Sequence, residues 1–448
     1  MFRYRSIMKM AVLIAVVSGT VNAGELKSYH FKPLGESAQS TDWNPDSPWK
    51  LPQGYSQWVV ADERKLNIYD KGRNDWHDMN TVNETGSQQG RFLYRTHELK
   101  LPESLPEGGS VSVVDLHSGE STVLVQDPSY NSLDGICWTP WGTLLFAEEV
   151  EGGRLFEIVL EDDLTSAHQV IDRPAVGRLA HEGIELDRAG NLYLVDEHRG
   201  RTSGCDGVVP CGGGIYRFVP DVVGDLSSGK LYSLKVSGAD GVGQGEWVGP
   251  IDPLTARKSG SQAGGQSYQR PEDLEVIGDT LYVAITEGPR DTAVDPASDR
   301  LVFTDELYEG RVIAIDLKTM KVSNFVNPGI NVPVEIGYPG EDGHQTGFDS
   351  VDNLAEAPNG DLLMIEDNSP SDIWIASQLT NEFGASRKVS LFASLSDPRA
   401  EGSGIYFNPH DASILYVNIQ HSAAKDGDGT WAISRRARQS KKGDLDRP

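Results

Sequence analysis

Gly177 to Glu197 reads GRLAHEGIELDRAGNLYLVDE, and this stretch decides the fold. An acid and a small residue, Glu182-Gly183, lead into an apolar start at Ile184. Asp187 to Gly190 carries turn residues, whose side chains and backbone freedom favour chain reversal. Leu192 to Val195 is a short apolar run of the kind a buried strand shows. Asp196-Glu197 closes it with two acids. The unit is therefore acid, strand, turn, strand, acid.

Read outward, the second half of this unit recurs along the chain. It returns as GRFLYRTHE (Gly90–Glu98), GTLLFAEE (Gly142–Glu149), GDTLYVAITE (Gly278–Glu287), GDLLMIED (Gly360–Asp367) and ASILYVNIQH (Ala412–His421). Leading acids precede them as Asp134-Gly135, Glu272-Asp273, Asp352-Asn353 and Glu401-Gly402, with Asp78-Met79 as a weaker sixth. Helical periodicity is nearly absent, and Gly, Pro, Asp and Asn punctuate the chain every few residues. The unit recurs at about 50 residues, or about 85 where loops intervene, which is the spacing of propeller blades. The expected fold is all-β, a single six-bladed β-propeller over 76–431. Arg300–Leu317 is read as the outer part of the fourth blade. Residues 24–75 are expected to form an N-terminal arm, and 432–448 a basic flexible tail.

The 448 residues hold 40 Lys+Arg against 66 Asp+Glu, a net charge of −26. That balance excludes a nucleic-acid binder held by phosphate neutralisation and disfavours docking on an anionic membrane. It suits cation binding, because surplus carboxylates attract hard metal ions. Residues 1–23 read as a cleaved signal peptide. Arg3, Arg5 and Lys9 are basic, Met10–Val17 is apolar but too short to span a bilayer, and Val21-Asn22-Ala23 is a cleavage site. The protein is expected in the periplasm or secreted, as a monomer without membrane insertion. Export permits disulfides, so Cys205 and Cys211 could staple a Gly-rich loop, leaving Cys137 as a buried thiol or a metal ligand.

A propeller turns its innermost strands toward one axis. Asp134, Glu182, Glu272, Asp352 and Glu401 are then expected to converge as a ring whose repulsion bound cations relieve. His181 and His97 beside acids, and His421 at a repeat end, are further candidates for ligation or proton transfer. Arg178 and Arg270 lie near the ring and could hold an anion through forked hydrogen bonds. There is no G-x-S-x-G elbow, P-loop, dinucleotide fingerprint or HExxH, so chemistry is expected to be metal-assisted.

These segments carry a family resemblance. DGICWTPWGTLLFAEE (Asp134–Glu149) resembles the TPWGT…EE signature of PhoX-type alkaline phosphatases. Gly177–Glu197, Arg270-Pro271-Glu272, Phe348–Asp367 and Glu401–His421 resemble further segments of that family, in order. The resemblance implies a six-bladed propeller with a metal cluster at one end of the channel. It implies an exported hydrolase of small-molecule phosphate monoesters that uses calcium and iron. It makes Glu149, Glu182, Glu272 and Asp352 metal ligands and gives Arg270 a role at phosphate or in ordering the cluster. One position departs from the family: Asp134 stands where the family has a cluster-binding Cys. An oxygen ligand there favours Ca²⁺ over Fe³⁺. Two other readings remain open. One is a calcium-dependent lactonase or gluconolactonase-like hydrolase, since Glu182-Gly183 and Glu401-Gly402 fit that pattern. The other is a non-catalytic propeller stabilised by Ca²⁺.

Overall fold

The computed structural model describes residues 31–69, 75–200, 212–238, 240–287, 292–294, 301–303, 310–337 and 342–435. The stretch read as a signal peptide, Cys205, Cys211 and most of the basic tail lie outside these residues. Within them the chain is almost all strand, with one short α-helix at Ala256–Gln262. No helix among the described residues is long and apolar enough to cross a membrane.

The strands form antiparallel meanders in a propeller-like arrangement. His77–Val82, Phe92–His97, Gly109–Asp115 and Ser121–Asp127 make a four-stranded sheet. The next sheet runs from Leu133–Trp138 through Leu144–Gly153 and Leu155–Leu160 to Ala167–Asp172, with Leu179–Ala180 added at one edge. Another holds Val351–Glu356, Leu362–Glu366, Asp372–Ala376 and Val389–Leu395. The last holds Glu401–Phe407, Ile414–Gln420 and Gly429–Ser434.

Between the second and the last two lies one nine-stranded sheet, not two separate ones. It joins a meander that begins at Ile184–Leu186 to one that begins at Gln269–Ile277. The join is narrow: Gly243 pairs with Val322 and Gln244 with Lys321. The stretch Arg300–Leu317 supplies the strand Arg311–Asp316, which pairs with Thr280–Glu287 in the second of these meanders.

Part of the N-terminal stretch read as an arm is sheet. Trp49–Lys50 extends the sheet of Val389–Leu395. Ser56–Asp62 pairs with Gly429–Ser434 and completes the last sheet to four strands, which also carries that sheet beyond the expected end at Trp431. The two chain ends thus share one sheet, and each covers hydrogen-bonding groups that an open edge would expose.

The core lies between neighbouring sheets, not in one central mass. Leu145, Ala147, Leu192, Leu194 and Phe218 pack between the second sheet and the next meander. Leu363, Ile365, Phe392, Leu415, Val417, Trp431 and Ile433 pack between the last two sheets. Burying each such side chain contributes about 1.5–3 kcal/mol. Trp431 sits on the strand that pairs with the N-terminal strand and is buried in the last interface. We expect Trp431→Ala to cost about 3–5 kcal/mol in denaturant unfolding. A loss below about 1 kcal/mol would show that this interface does not hold the fold closed.

Candidate metal centre

Six leading acids stand at the start of six inner strands, and the backbone there is irregular in a repeated way. In four strands the register with the second strand slips across the acid. The slips fall between His77 and Asn80, Leu133 and Ile136, Pro271 and Leu274, and Val351 and Leu354. The intervals contain Asp78, Asp134, Glu272 and Asp352. A bulge puts two residues opposite one and re-aims a side chain that regular pleating would turn elsewhere.

The residue after each acid has its own reason. A Cβ at Gly135 would lie 1.8 Å from the carbonyl oxygen of Glu182, and one at Gly183 would lie 2.4 Å from Asp273 Oδ1. Neighbouring inner strands approach too closely there for any side chain. Where the chain has Asp273 or Asn353 instead, the side chain bonds the next strand. The Leu354 backbone N–H donates to Asp273 Oδ2 at 2.8 Å, and that of Gly404 donates to Asn353 Oδ1 at 2.5 Å. The small or polar residue of the repeat thus links one blade to the next.

The result is a cavity of about 270 Å³ with an almost wholly polar lining. Asp78, Asp134, Asp352 and Glu401 reach it from inner strands, and Glu182 from two residues before one. Glu98, Glu149 and Asp367 reach it from second strands or the residue just after. Glu272 stands with Glu182 and Asp352, their carboxylate oxygens within 4.8 Å of one another. Among the described residues, two cationic side chains, Lys100 and Arg270, join the eight lining carboxylates.

Arg270 bridges several of the acids. Its Nε lies 2.6 Å from Glu197 Oε1, and its Nη2 lies 2.9 Å from Glu272 Oε1 and 3.6 Å from Asp367 Oδ2. Its backbone has φ of +48°, a left-handed conformation unusual for a side chain of this size. Lys100 Nζ lies 2.6 Å from Glu98 Oε1. His421 Nε2 lies 3.3 Å from Glu401 Oε1, and its ring meets Trp76 edge-on.

Burial pushes every one of the central acids up. For Asp134 the charges of Asp78, Glu149 and Glu98 add to it. For Glu182 the neighbours are Glu272, Asp134 and Asp352. Asp352 is raised by burial, then Glu272 and Asp367. Burial raises Glu272 to about 7, although Arg270 opposes the shift. At an effective dielectric of about 20, two full charges 4.8 Å apart repel by about 3 kcal/mol. Three such pairs approach the whole stability of a typical domain, so these carboxylates cannot all be ionised alone.

A hard cation fits this donor set. Asp134 Oδ1 and Glu272 Oε2 are buried and accept no hydrogen bond. Among the described residues the lining offers many oxygens and no thiolate, which suits Ca²⁺ with its six to eight oxygen ligands. Asp134, Glu149, Glu182, Glu272, Asp352 and Glu401 are the residues that would hold it.

Two expected site residues are not brought to this cavity. Arg178 turns away and forms a two-pronged pair with Asp172 at 2.8 and 2.6 Å. His181 is fully buried, with Nε2 3.2 Å from the Gly177 carbonyl oxygen. Burial lowers its pKa to about 4, so it is neutral. Its place beside Glu182 in sequence does not survive, because successive side chains leave an extended chain on opposite sides. His97 is likewise buried away from the cavity, between the Asp75 carbonyl and the Ser112 hydroxyl. Cys137 is a buried free thiol in the apolar cluster between sheets. Four residues escape a reading based on leading acids alone. Asp78 is the weakest repeat, Glu98 and Asp367 are repeat ends, and Lys100 has no repeat signal at all.

The sequence model of one family, described as "Alkaline phosphatase PhoX", matches residues 153–423. The match includes Glu182, Arg270, Glu272, Asp352 and Glu401 but begins after Asp134 and Glu149. The structure is similar to that of "Pseudomonas fluorescens PhoX in complex with vanadate, a transition state analogue". The TM-score is 0.60 and the identity 17%, over 90% of this chain and 98% of that one. It also resembles the soluble aldose sugar dehydrogenase of Escherichia coli, with TM-score 0.42 and 16% identity over 85% of this chain and 100% of that one. No curated protein sequence matches the chain.

The raised acids fix the sign of a pH dependence. The ordinary value for Glu272 is 4.5 and its folded value about 7. The folded chain therefore keeps a proton that the unfolded chain releases in that window. The resulting stability is present below pH 4.5 and is lost as pH rises through 7. We expect the Tm of chelator-treated protein to fall over this range and added Ca²⁺ to restore it. A Tm that is flat, or that rises with pH in the absence of metal, would contradict this electrostatic account.

Proposed function

Because the chain belongs to the PhoX alkaline phosphatase family and is thereby a phosphoric monoester hydrolase, we propose that it hydrolyses small phosphate esters in the acidic channel cavity, with Ca²⁺ as its resident metal. The observation that carries this reading is the imbalance of eight lining carboxylates against Lys100 and Arg270. An anionic substrate does not enter such a cavity unless its charge is reversed. Bound cations would reverse it and would draw negative charge from the phosphoryl oxygens in the transition state.

The chain's own groups take the other roles. Arg270 is held by Glu197, Glu272 and Asp367, so its planar fork is oriented before substrate arrives. A preset donor of this kind favours charge that develops in the reaction without reorganising at that moment. Lys100, at Glu98, offers a second cationic contact for phosphoryl oxygens. His421 lies beside Glu401 at the cavity and is placed to give a proton to the departing alkoxide. The all-oxygen lining, with Asp134 in the ring, supports Ca²⁺ over an iron arrangement that uses a thiolate.

Three further points belong to the same reading. The nine-stranded sheet is two blades fused at one narrow ladder, which gives six blades in all. The signal-like N-terminus supports export to the periplasm or outside the cell, and a monomer is part of the same proposal. The lactonase reading has no observation in its favour beyond the acid-Gly pairs, which close packing already explains, against Asp273 at Gly183 and against Ile365, Trp49 and Ser371 at Gly402.

The test is an assay of the purified protein on p-nitrophenyl phosphate and on a lactone panel, each with and without chelator, alongside elemental analysis. We expect chelator-sensitive phosphatase activity, competition by vanadate, bound calcium and no stoichiometric iron. A folded, active protein free of calcium would sink the metal assignment. Arg270→Ala is expected to lower kcat/KM by about 10²–10³-fold. A loss confined to KM would instead assign Arg270 to ground-state binding.

A further inference from the structure

A second group of carboxylates converges away from the channel. Glu366 ends the strand Leu362–Glu366, Asp372 begins the next strand, and Glu335 comes from the segment that precedes Val351–Glu356. Their oxygens lie within 4.8 Å of one another. Glu366 and its neighbour Asp367 leave the strand on opposite faces. Asp367 lines the channel cavity and Glu366 does not, so the two groups are separate.

The hydrogen bonds here leave a gap. Glu366 Oε1 accepts from the Asp349 backbone N–H at 2.9 Å and from the Trp374 indole N–H at 2.8 Å. Asp372 Oδ2 accepts from the Ser37 hydroxyl at 2.6 Å. The remaining oxygens, Glu366 Oε2, Asp372 Oδ1 and Glu335 Oε2, are buried and accept nothing. Glu366 and Asp372 are themselves fully buried. Each of the three residues thus keeps one buried oxygen without a donor. Lys50 is the nearby cation, but its Nζ donates to the Ser37 carbonyl and to Glu36. Each orphaned acceptor loses its hydration without a replacement bond, and ionised oxygens this close add repulsion.

We propose that Glu335, Glu366 and Asp372 form a second divalent-cation site, for Ca²⁺, that fastens three chain segments together. The donors are all oxygen, which disfavours Zn²⁺. They come from two strand ends and from a segment outside the strands, which suits the adaptable coordination of Ca²⁺ better than the strict octahedron of Mg²⁺. The segments are the fifth meander through Glu366 and Asp372, the preceding loop through Glu335, and the N-terminal stretch through Ser37. Ser37 also bonds Thr346 of that loop, with its backbone N–H 2.9 Å from Thr346 Oγ1. The site's role is structural and independent of phosphate chemistry.

The test uses the full chain with Ca²⁺ and with Tb³⁺ as probes. Glu335 is only half-buried, so Glu335→Ala is expected to fold. It should bind about one Ca²⁺ fewer per chain than the wild type and lose part of the Ca²⁺-dependent rise in Tm. Its phosphatase activity should stay within about twofold, which separates this site from the channel. Trp374 touches Glu366 directly, so Trp374→Phe should keep the ion and lose Tb³⁺ luminescence excited through its indole. Equal calcium content in wild type and Glu335→Ala would overturn the proposal, leaving a proton-sharing acid cluster. Undiminished Tb³⁺ luminescence in Trp374→Phe would overturn it as well, whether or not Glu335→Ala folds.

Discussion

The structure depends on the mutual repulsion of carboxylates packed into one low-dielectric channel. Glu182, Glu272 and Asp352 hold oxygens within 4.8 Å, and six more acids line the same cavity. No arrangement of two cationic side chains can neutralise them. Arg270 is spent on three acids and Lys100 on one. Such a cluster persists in a fold only if protons or cations occupy it and if the surrounding frame resists its tendency to spread.

That frame is built against spreading. Four inner strands are tied to a neighbour at the residue after the acid, through close approach at Gly135 and Gly183 or through Asp273 and Asn353 bonds. Bulges aim the acids without breaking the ladders that carry them. Behind the inner strands, apolar clusters press each sheet against the next. The N-terminal strand Ser56–Asp62 completes the sheet that carries the chain's last strand. Repulsion among the acids is thus opposed by packing between sheets and by closure at the last sheet, and a bound cation would relieve what remains.

Much of this was legible because the repeat is physical. The alternation of apolar runs, turn residues and acids marks the same pair of strands six times, and those strands pair as the spacing implies. Asp134, Glu182, Glu272, Asp352 and Glu401 occupy matching positions and do converge. Asp78 matches poorly, since Met79 stands where the other units have a small or polar residue, yet its strand bulges in the same way. Arg178 and His181 show the limit of adjacency. Both are within four residues of Glu182, but one turns to Asp172 and the other to a backbone carbonyl. Lys100 enters the cavity from beyond a repeat end, where nothing in the pattern marks it.

The sequence by itself determined the strands, the faces they bury and the acids that share an axis, because those follow from local periodicity repeated six times. Only the tertiary structure decided which cations meet those acids, and that the N-terminal strand completes the last sheet. It alone assembled Glu335, Glu366 and Asp372 into a second cluster. The reason is the range of the interactions. Periodicity acts between residues two apart, whereas an ion pair or a cation site joins side chains that only the folded chain brings within a few ångströms.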